Sequence, residues 1–210
     1  MEKTENQFIR TFGRVHGKSL SARQQHLVDK LLPSLLPSPS PNPSPILEIG
    51  FGAGEHIIEL AEANPDKIII GAEPFINGVA SLLSRIADDE GKILPQYKNI
   101  RIWPDDIRKM PAAGPFSEIW ILHPDPWPKA RHEKRRLLSA DFIKTLWSLI
   151  CKDGKISIGT DHADYFDWIL LQIKSAGLKI SAEKMPPVKT RYQEKDMFGA
   201  GVTRYIVIKK

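Results

Sequence analysis

The residues best placed for chemistry are acids that lie within or just after short apolar runs. The first is Glu48, in Ile46-Leu47-Glu48-Ile49-Gly50-Phe51-Gly52-Ala53-Gly54-Glu55. Gly50 and Gly52 allow a tight turn and let the backbone approach a ligand, because no Cβ stands in the way. The pattern is close to the dinucleotide fingerprint G-x-G-x-x-G, with its third glycine one residue early. A carboxylate at Glu48 would repel a pyrophosphate, whereas it suits the positive amino-acid end of S-adenosylmethionine. Glu73 ends the next apolar run, where an acid typically bonds a ribose hydroxyl pair. Asp105 and Asp106 end the third, placed to meet an adenine amino group or another cofactor donor. Acids at three successive run ends point to a nucleoside-bearing cofactor, and the glycine spacing with Glu48 favours S-adenosylmethionine over NAD.

A fourth acid sits in His123-Pro124-Asp125-Pro126-Trp127-Pro128, directly after the apolar run Glu118 to Leu122. Three prolines at alternate positions preset φ and stiffen this segment. A stiff loop can hold Asp125 and Trp127 beside the reactive end of a cofactor, the preorganisation a group transfer needs. Five of the next eight residues, Lys129 to Arg136, are Lys or Arg. A basic run is usually a solvated face, but beside a candidate catalytic loop it points to phosphate contacts and salt-dependent binding of a polyanion. Trp103 and Trp127 are candidate stacking platforms for a base, against the commoner fate of burial.

These residues need a scaffold that brings run ends together. Short apolar runs at 46–50, 67–73, 99–103, 117–122, 155–160 and 202–208 read as strands. Helical patterns at 55–63, 75–87, 137–150 and 162–176 lie between most of them. KIIIGAE and SEIWIL are almost continuously apolar, as expected for strands covered on both faces. Alternation of this kind predicts an α/β, doubly wound, mostly parallel sheet, with ligands beyond the carboxyl ends of the strands. Ahead of it lie a basic N-terminal arm, residues 1–32, and a Pro-rich linker, residues 33–45. The linker's six prolines predict extended backbone without a helix. Ser21 is a candidate N-cap for a helix carrying Leu27, Leu31 and Leu32. The main domain is 46–210.

Composition narrows the class. The 210 residues are 41% hydrophobic and 26% charged, ordinary for a globular chain and unlike a disordered one. Lys and Arg outnumber Asp and Glu by 30 to 25, a net charge of +5 that is compatible with an acidic partner. The single cysteine, Cys151, excludes an internal disulfide and fits a reducing compartment. No apolar run approaches the roughly 18 residues of a membrane span, and Met1 to Arg10 has no signal-peptide core. A soluble, cytoplasmic protein with no membrane association and no obligate protein partner is the expectation. His16, His26, His132 and His162 lack metal-ligand spacing, so no metal is expected.

LEIGFGAGEH, Glu73, Asp106, HPDPWPKARHEKRR and the late TRYQEK together resemble the tRNA (guanine-N(7)-)-methyltransferases, from about Phe12 to the C-terminus. The proline-tryptophan-basic block is the specific part, since the glycine loop alone fits any S-adenosylmethionine-dependent methyltransferase. The resemblance implies a seven-stranded Rossmann-like methyltransferase sheet and transfer of a methyl group to guanosine N7 in the tRNA variable loop, position 46 in tRNA numbering, giving 7-methylguanosine. It implies that Glu48, Gly50, Gly52, Glu73, Asp106 and Asp125 hold S-adenosylmethionine, with Asp125 also catalytic. Lys129, Asp161, Thr190, Gln193 and Glu194 would contact the substrate guanosine or its surroundings. Arg131, Lys134, Arg135 and Arg136 would contact the tRNA backbone. Two positions depart from the family pattern. His123 stands where an aromatic or aliphatic residue is usual, and Gln193 stands at the glutamate of T-x-[YF]-E with Glu194 beside it. Three rivals are distinguishable: a nucleic-acid methyltransferase acting on an exocyclic amine, an NAD-dependent oxidoreductase, and a noncatalytic RNA-binding protein.

Overall fold

The computed structural model describes residues 10–38, 44–111, 114–181 and 202–210. Among these the apolar runs form six strands: β1 (Ile46–Ile49), β2 (Ile69–Ala72), β3 (Ile100–Trp103), β4 (Phe116–Leu122), β5 (Ile150–Thr160) and β6 (Arg204–Lys209). They assemble in the order β3-β2-β1-β4-β5-β6. The first five are parallel to their neighbours, and β6 runs antiparallel to β5. The order reverses between β1 and β4, and the crevice at such a reversal is where an open α/β sheet binds its ligand. The seventh strand implied by the resemblance is not among the described residues. At Ser181 the backbone N–H donates to the Val207 carbonyl at 2.8 Å, which brings the chain alongside β6.

Helices α1 (Ala22–Lys30), α2 (Glu55–Ala63), α3 (Ile76–Ile86), α4 (Ala140–Leu149) and α5 (Ala163–Ser175) cover the sheet. Strand alternation divides the core into two layers. Ile46, Ile69, Trp120 and Leu122 pack with α1, α2 and α3, whereas Leu47, Ile49, Ile119 and Ile121 pack with α4 and α5. Trp120 and Leu122 are thus buried opposite Ile119 and Ile121, which is why β4 is apolar along its whole second half.

Two stretches differ from the expectation. Ser21 does cap α1, accepting from Gln24 N while the Gln24 side chain accepts from Ser21 N, a reciprocal capping box. The helix ends at Lys30, however, and Leu31 and Leu32 follow it into a 3₁₀ turn at Leu32–Leu35. Pro33 stands at the second position of that turn, within the first turn, where a missing N–H costs nothing. Leu27, Leu32 and Leu35 are buried in the same layer as Ile46 and α3. Burial of those leucines, and not charge alone, sets the path of this part of the chain. Strand β5 starts at Ile150, straight after α4. Ile150 pairs with Phe116 and Lys155 with Glu118, so residues 151–154 stand opposite Ser117 alone, three extra residues on the β5 side.

Candidate active site

Two loops close on each other at the reversal point. The first leaves β1 through Gly50 and Gly52, whose φ angles of +77° and +58° lie in the left-handed region. A side chain at either position would enter open space rather than neighbouring protein, so the two glycines form one wall of a cradle. The second leaves β4 through His123 to Trp127. His123 and Trp127 also have positive φ, +48° and +41°, conformations that bulky residues hold only when the surroundings impose them. Between the loops lies a cleft of about 390 Å³, within the range of small-molecule sites. Gly50, Gly52, Glu73, Asp106, Asp125 and Trp127 line it. A larger hollow of about 860 Å³ opens beside α4, but none of the strand-end acids lines it, and the chemistry belongs to the smaller cleft.

The acids have different surroundings. Glu73 is buried and accepts from Gly52 N at 2.8 Å and Phe75 N at 2.9 Å, one bond on each oxygen. Each oxygen keeps a second acceptor site, the arrangement a vicinal hydroxyl pair requires. Burial raises the Glu73 pKa above the usual carboxylate range against the pull of those bonds, and the nearby Asp125 charge adds to the rise. Asp125 is exposed at the cleft mouth, and its pKa is raised too, by partial desolvation. Among the described residues neither makes an ion pair. Two anions held near each other without a cation favour a positively charged ligand.

Asp106 is buried, which alone would raise its pKa, but hydrogen bonds from Arg108 outweigh burial and lower it. Arg108 donates to it from Nε at 2.9 Å, from a terminal nitrogen at 2.6 Å and from its backbone N at 3.0 Å. Arg108 thus engages both Asp106 oxygens, Oδ2 by one bond only, and the residue stands on the cleft wall. Trp103, a candidate stacking platform, instead donates Nε1 to the Asp106 carbonyl at 3.0 Å. Glu48, expected at the cofactor, does not line the cleft. It alternates onto the α2 side of β1, at 2% exposure, with Oε1 3.2 Å from His56 Nδ1. Its other oxygen is buried without a hydrogen-bond partner.

Asp161 follows β5 and comes within 3.6 Å of His123 Nδ1, which brings it beside the Asp125 loop. Lys129, Arg131 and Lys134 are exposed. Arg135 and Arg136 are half-buried: Arg135 lies over the rings of Phe12 and Trp127, and Arg136 is bonded to the Asp125 loop itself. Thr190, Gln193 and Glu194 lie outside the described residues. Sequence reasoning missed Arg108, His56 and the segment Thr11 to Arg14, which lines the cleft. That segment passes close to the catalytic loop: a Cβ at Gly13 would stand 3.2 Å from Asp125 Oδ2. Beyond it, Val15 and Asn77 tie the chain to the start of α3. A clue was available in Phe12, an aromatic inside a basic stretch.

Such a cleft, on five parallel strands with an antiparallel sixth, defines a Rossmann-like methyltransferase that uses S-adenosylmethionine. Solved structures agree on the fold: an antibiotic-related methyltransferase superposes with a TM-score of 0.57 at 15% identity over 92% of this chain and 96% of its own. The 16S rRNA methyltransferase KamB does so at 0.56 and 14% identity, over 93% and 98%. A family model described as "Putative methyltransferase" matches residues 42–195. A tRNA (guanine-N(7)-)-methyltransferase of Novosphingobium aromaticivorans is 41% identical over 179 residues, 79% of this chain and 74% of the relative. One from Caulobacter vibrioides is 35% identical over 209 residues, 90% of each chain. The chain belongs to the tRNA (guanine-N(7)-)-methyltransferase family. Among the described residues no helix is long and apolar enough to cross a membrane.

Proposed function

We propose that the protein methylates N7 of a guanosine in the variable loop of tRNA, leaving 7-methylguanosine. The observation that carries this reading is the pairing of Glu73 and Asp125 in one cleft, both with raised pKa values and neither in an ion pair. Bound S-adenosylmethionine supplies a methyl group on a cationic sulfur. Gly50 and Gly52 provide the open wall for it, and Glu73 offers two oxygens to a ribose.

Guanine N7 carries a lone pair and no proton, so its attack on a methyl group needs no general base. Positive charge passes to the purine as the bond forms. Asp125 acts by electrostatics and positioning: its carboxylate stabilises that charge and orients the ring through N1–H or the exocyclic amine. Lys129 and Asp161, with Thr190, Gln193 and Glu194, hold the guanosine and its surroundings, while Arg131 and Lys134, exposed in the basic run, meet phosphates. A base in folded tRNA must leave its stack to reach such a cleft. Incubation with unmodified tRNA and S-adenosylmethionine, followed by nuclease digestion and mass spectrometry, tests the reading. A new 7-methylguanosine at a variable-loop guanosine is expected. A methyl group on an exocyclic amine, or binding without turnover, refutes it.

A further inference from the structure

Arg136 ends the basic run, and its position alone assigns it to tRNA phosphates. Its surroundings assign it elsewhere. Nε donates to the Pro126 carbonyl at 2.9 Å and a terminal nitrogen donates to the Trp127 carbonyl at 3.4 Å. The guanidinium carbon lies 5.4 Å from the Tyr165 ring centre and 4.9 Å from that of Trp168. Both rings belong to α5 and are fixed there: Tyr165 is fully buried, and Trp168 donates Nε1 to Glu133 at 2.6 Å. A planar cation with a fork of donors can stack on two rings and hold two carbonyls at once, and no other side chain can. Arg131 and Lys134, in the same run, are exposed.

The two carbonyls that Arg136 holds belong to the segment least able to hold itself. Trp127 sits at φ +41°, a strained conformation for a bulky residue. Pro128 further limits its backbone freedom. Pro126 and Pro128 have no N–H to donate, so the loop cannot brace itself with those amides.

We propose that Arg136 is a positioning residue: it clamps the Pro126–Trp127 carbonyls to α5 and so holds Asp125 and Trp127 at the cleft, and it is not a phosphate contact. The proposal rests on the methyltransferase reading for its kinetic consequence, but not for its structural one. A residue that fixes a loop changes turnover, since a misplacement of about 1 Å can cost on the order of 100-fold. A residue that neutralises a phosphate changes affinity and its salt dependence, with the log–log slope falling by about one.

The test compares Arg136→Ala and Arg136→Lys with Arg131→Ala and Lys134→Ala in the full chain. Folding is monitored by circular dichroism, tRNA affinity is measured across a salt series, and hydrogen–deuterium exchange is followed over residues 123–129. For Arg136→Ala the expected result is a roughly 10- to 100-fold lower kcat, an unchanged tRNA salt slope and faster exchange in the loop. Arg136→Lys should behave like Arg136→Ala, because a point charge cannot stack and fork together. Arg131→Ala and Lys134→Ala should lower the slope and leave loop exchange alone. A reduced slope with slow loop exchange in the Arg136 variants overturns the proposal, as does wild-type turnover in both. Loop exchange needs no turnover, so a wild-type protein that methylates no tRNA would overturn the functional reading and leave the clamp decided separately.

Discussion

Asp106 and Asp125 look alike in the sequence, each an acid just past an apolar strand, yet the fold treats them in opposite ways. The Asp106 turn is braced from within: three bonds from Arg108 engage both carboxylate oxygens, and Trp103 ties down its carbonyl. The Asp125 loop leaves its carboxylate without an ion pair among the described residues, exposed at the cleft mouth yet with its pKa raised by partial desolvation. A carboxylate that protein has satisfied contributes to holding the structure together. One kept short of partners is in place for a ligand. The Asp106 turn also reaches across to the N-terminal segment, since Arg108 donates to the Arg10 carbonyl at 3.2 Å. It therefore builds the wall of the same cleft in which Asp125 acts.

The largest effect expected from breaking this contrast is at Asp125. Asp125→Asn should lower kcat by about 100- to 1,000-fold, the scale of losing one preorganised electrostatic contact. Its melting temperature at pH 7 should hold or rise. The sign follows from linkage: the folded-state pKa is raised, so the ionised group costs stability as pH climbs through that range, and an uncharged amide removes the cost. Wild-type kcat should fall as pH drops through the raised pKa and stay flat around neutrality. A steep rise of kcat through pH 7 would instead report a general base.

Asp106→Asn should do the reverse. Hydrogen bonds to a charged group are worth about 1.5–3 kcal/mol, so melting should fall by on the order of 5 °C. Here the folded-state pKa is lowered. The stabilisation is present above the ordinary aspartate range and disappears as pH falls through the lower folded value. Wild type and variant should therefore converge in acid, which thermal melts across a pH series would show. A constant gap at all pH values would mean that the Arg108 bonds contribute through packing rather than charge.

Strand ends and the glycine loop were legible because period-two burial and a missing Cβ leave direct marks on residue choice. The acids were legible as a set. Which of them would be free was not, because Arg108 reaches Asp106 through a local turn that no apolar pattern marks. The basic run shows the same limit. Composition finds Lys129 to Arg136, but only the fold separates exposed Arg131 and Lys134 from Arg136 on the α5 rings. The placement of Glu48 turns on alternation: one residue decides which face of β1 a side chain joins, and its carboxylate lies with His56.

The smallest effect concerns the other edge of the cleft. Asn77 holds the N-terminal segment twice, accepting from Gly17 N at 2.8 Å and donating to the Lys18 carbonyl at 2.7 Å. The Ile76 amide adds a bond to the Val15 carbonyl. These bonds are exposed, so Asn77→Ala should cost about 1 kcal/mol or less in anchoring. Because Thr11 to Arg14 line the cleft, that loss should appear in the kinetics of a bound ligand. The dissociation rate of S-adenosylhomocysteine should rise by about fivefold or less, with the association rate and the melting temperature nearly unchanged. The same rise in Asp106→Asn would show that the Arg108-braced turn and the Asn77 anchor hold one strap from two sides. A rise in Asn77→Ala alone would confine the Asp106 turn to stability and leave the cleft's outer wall to α3.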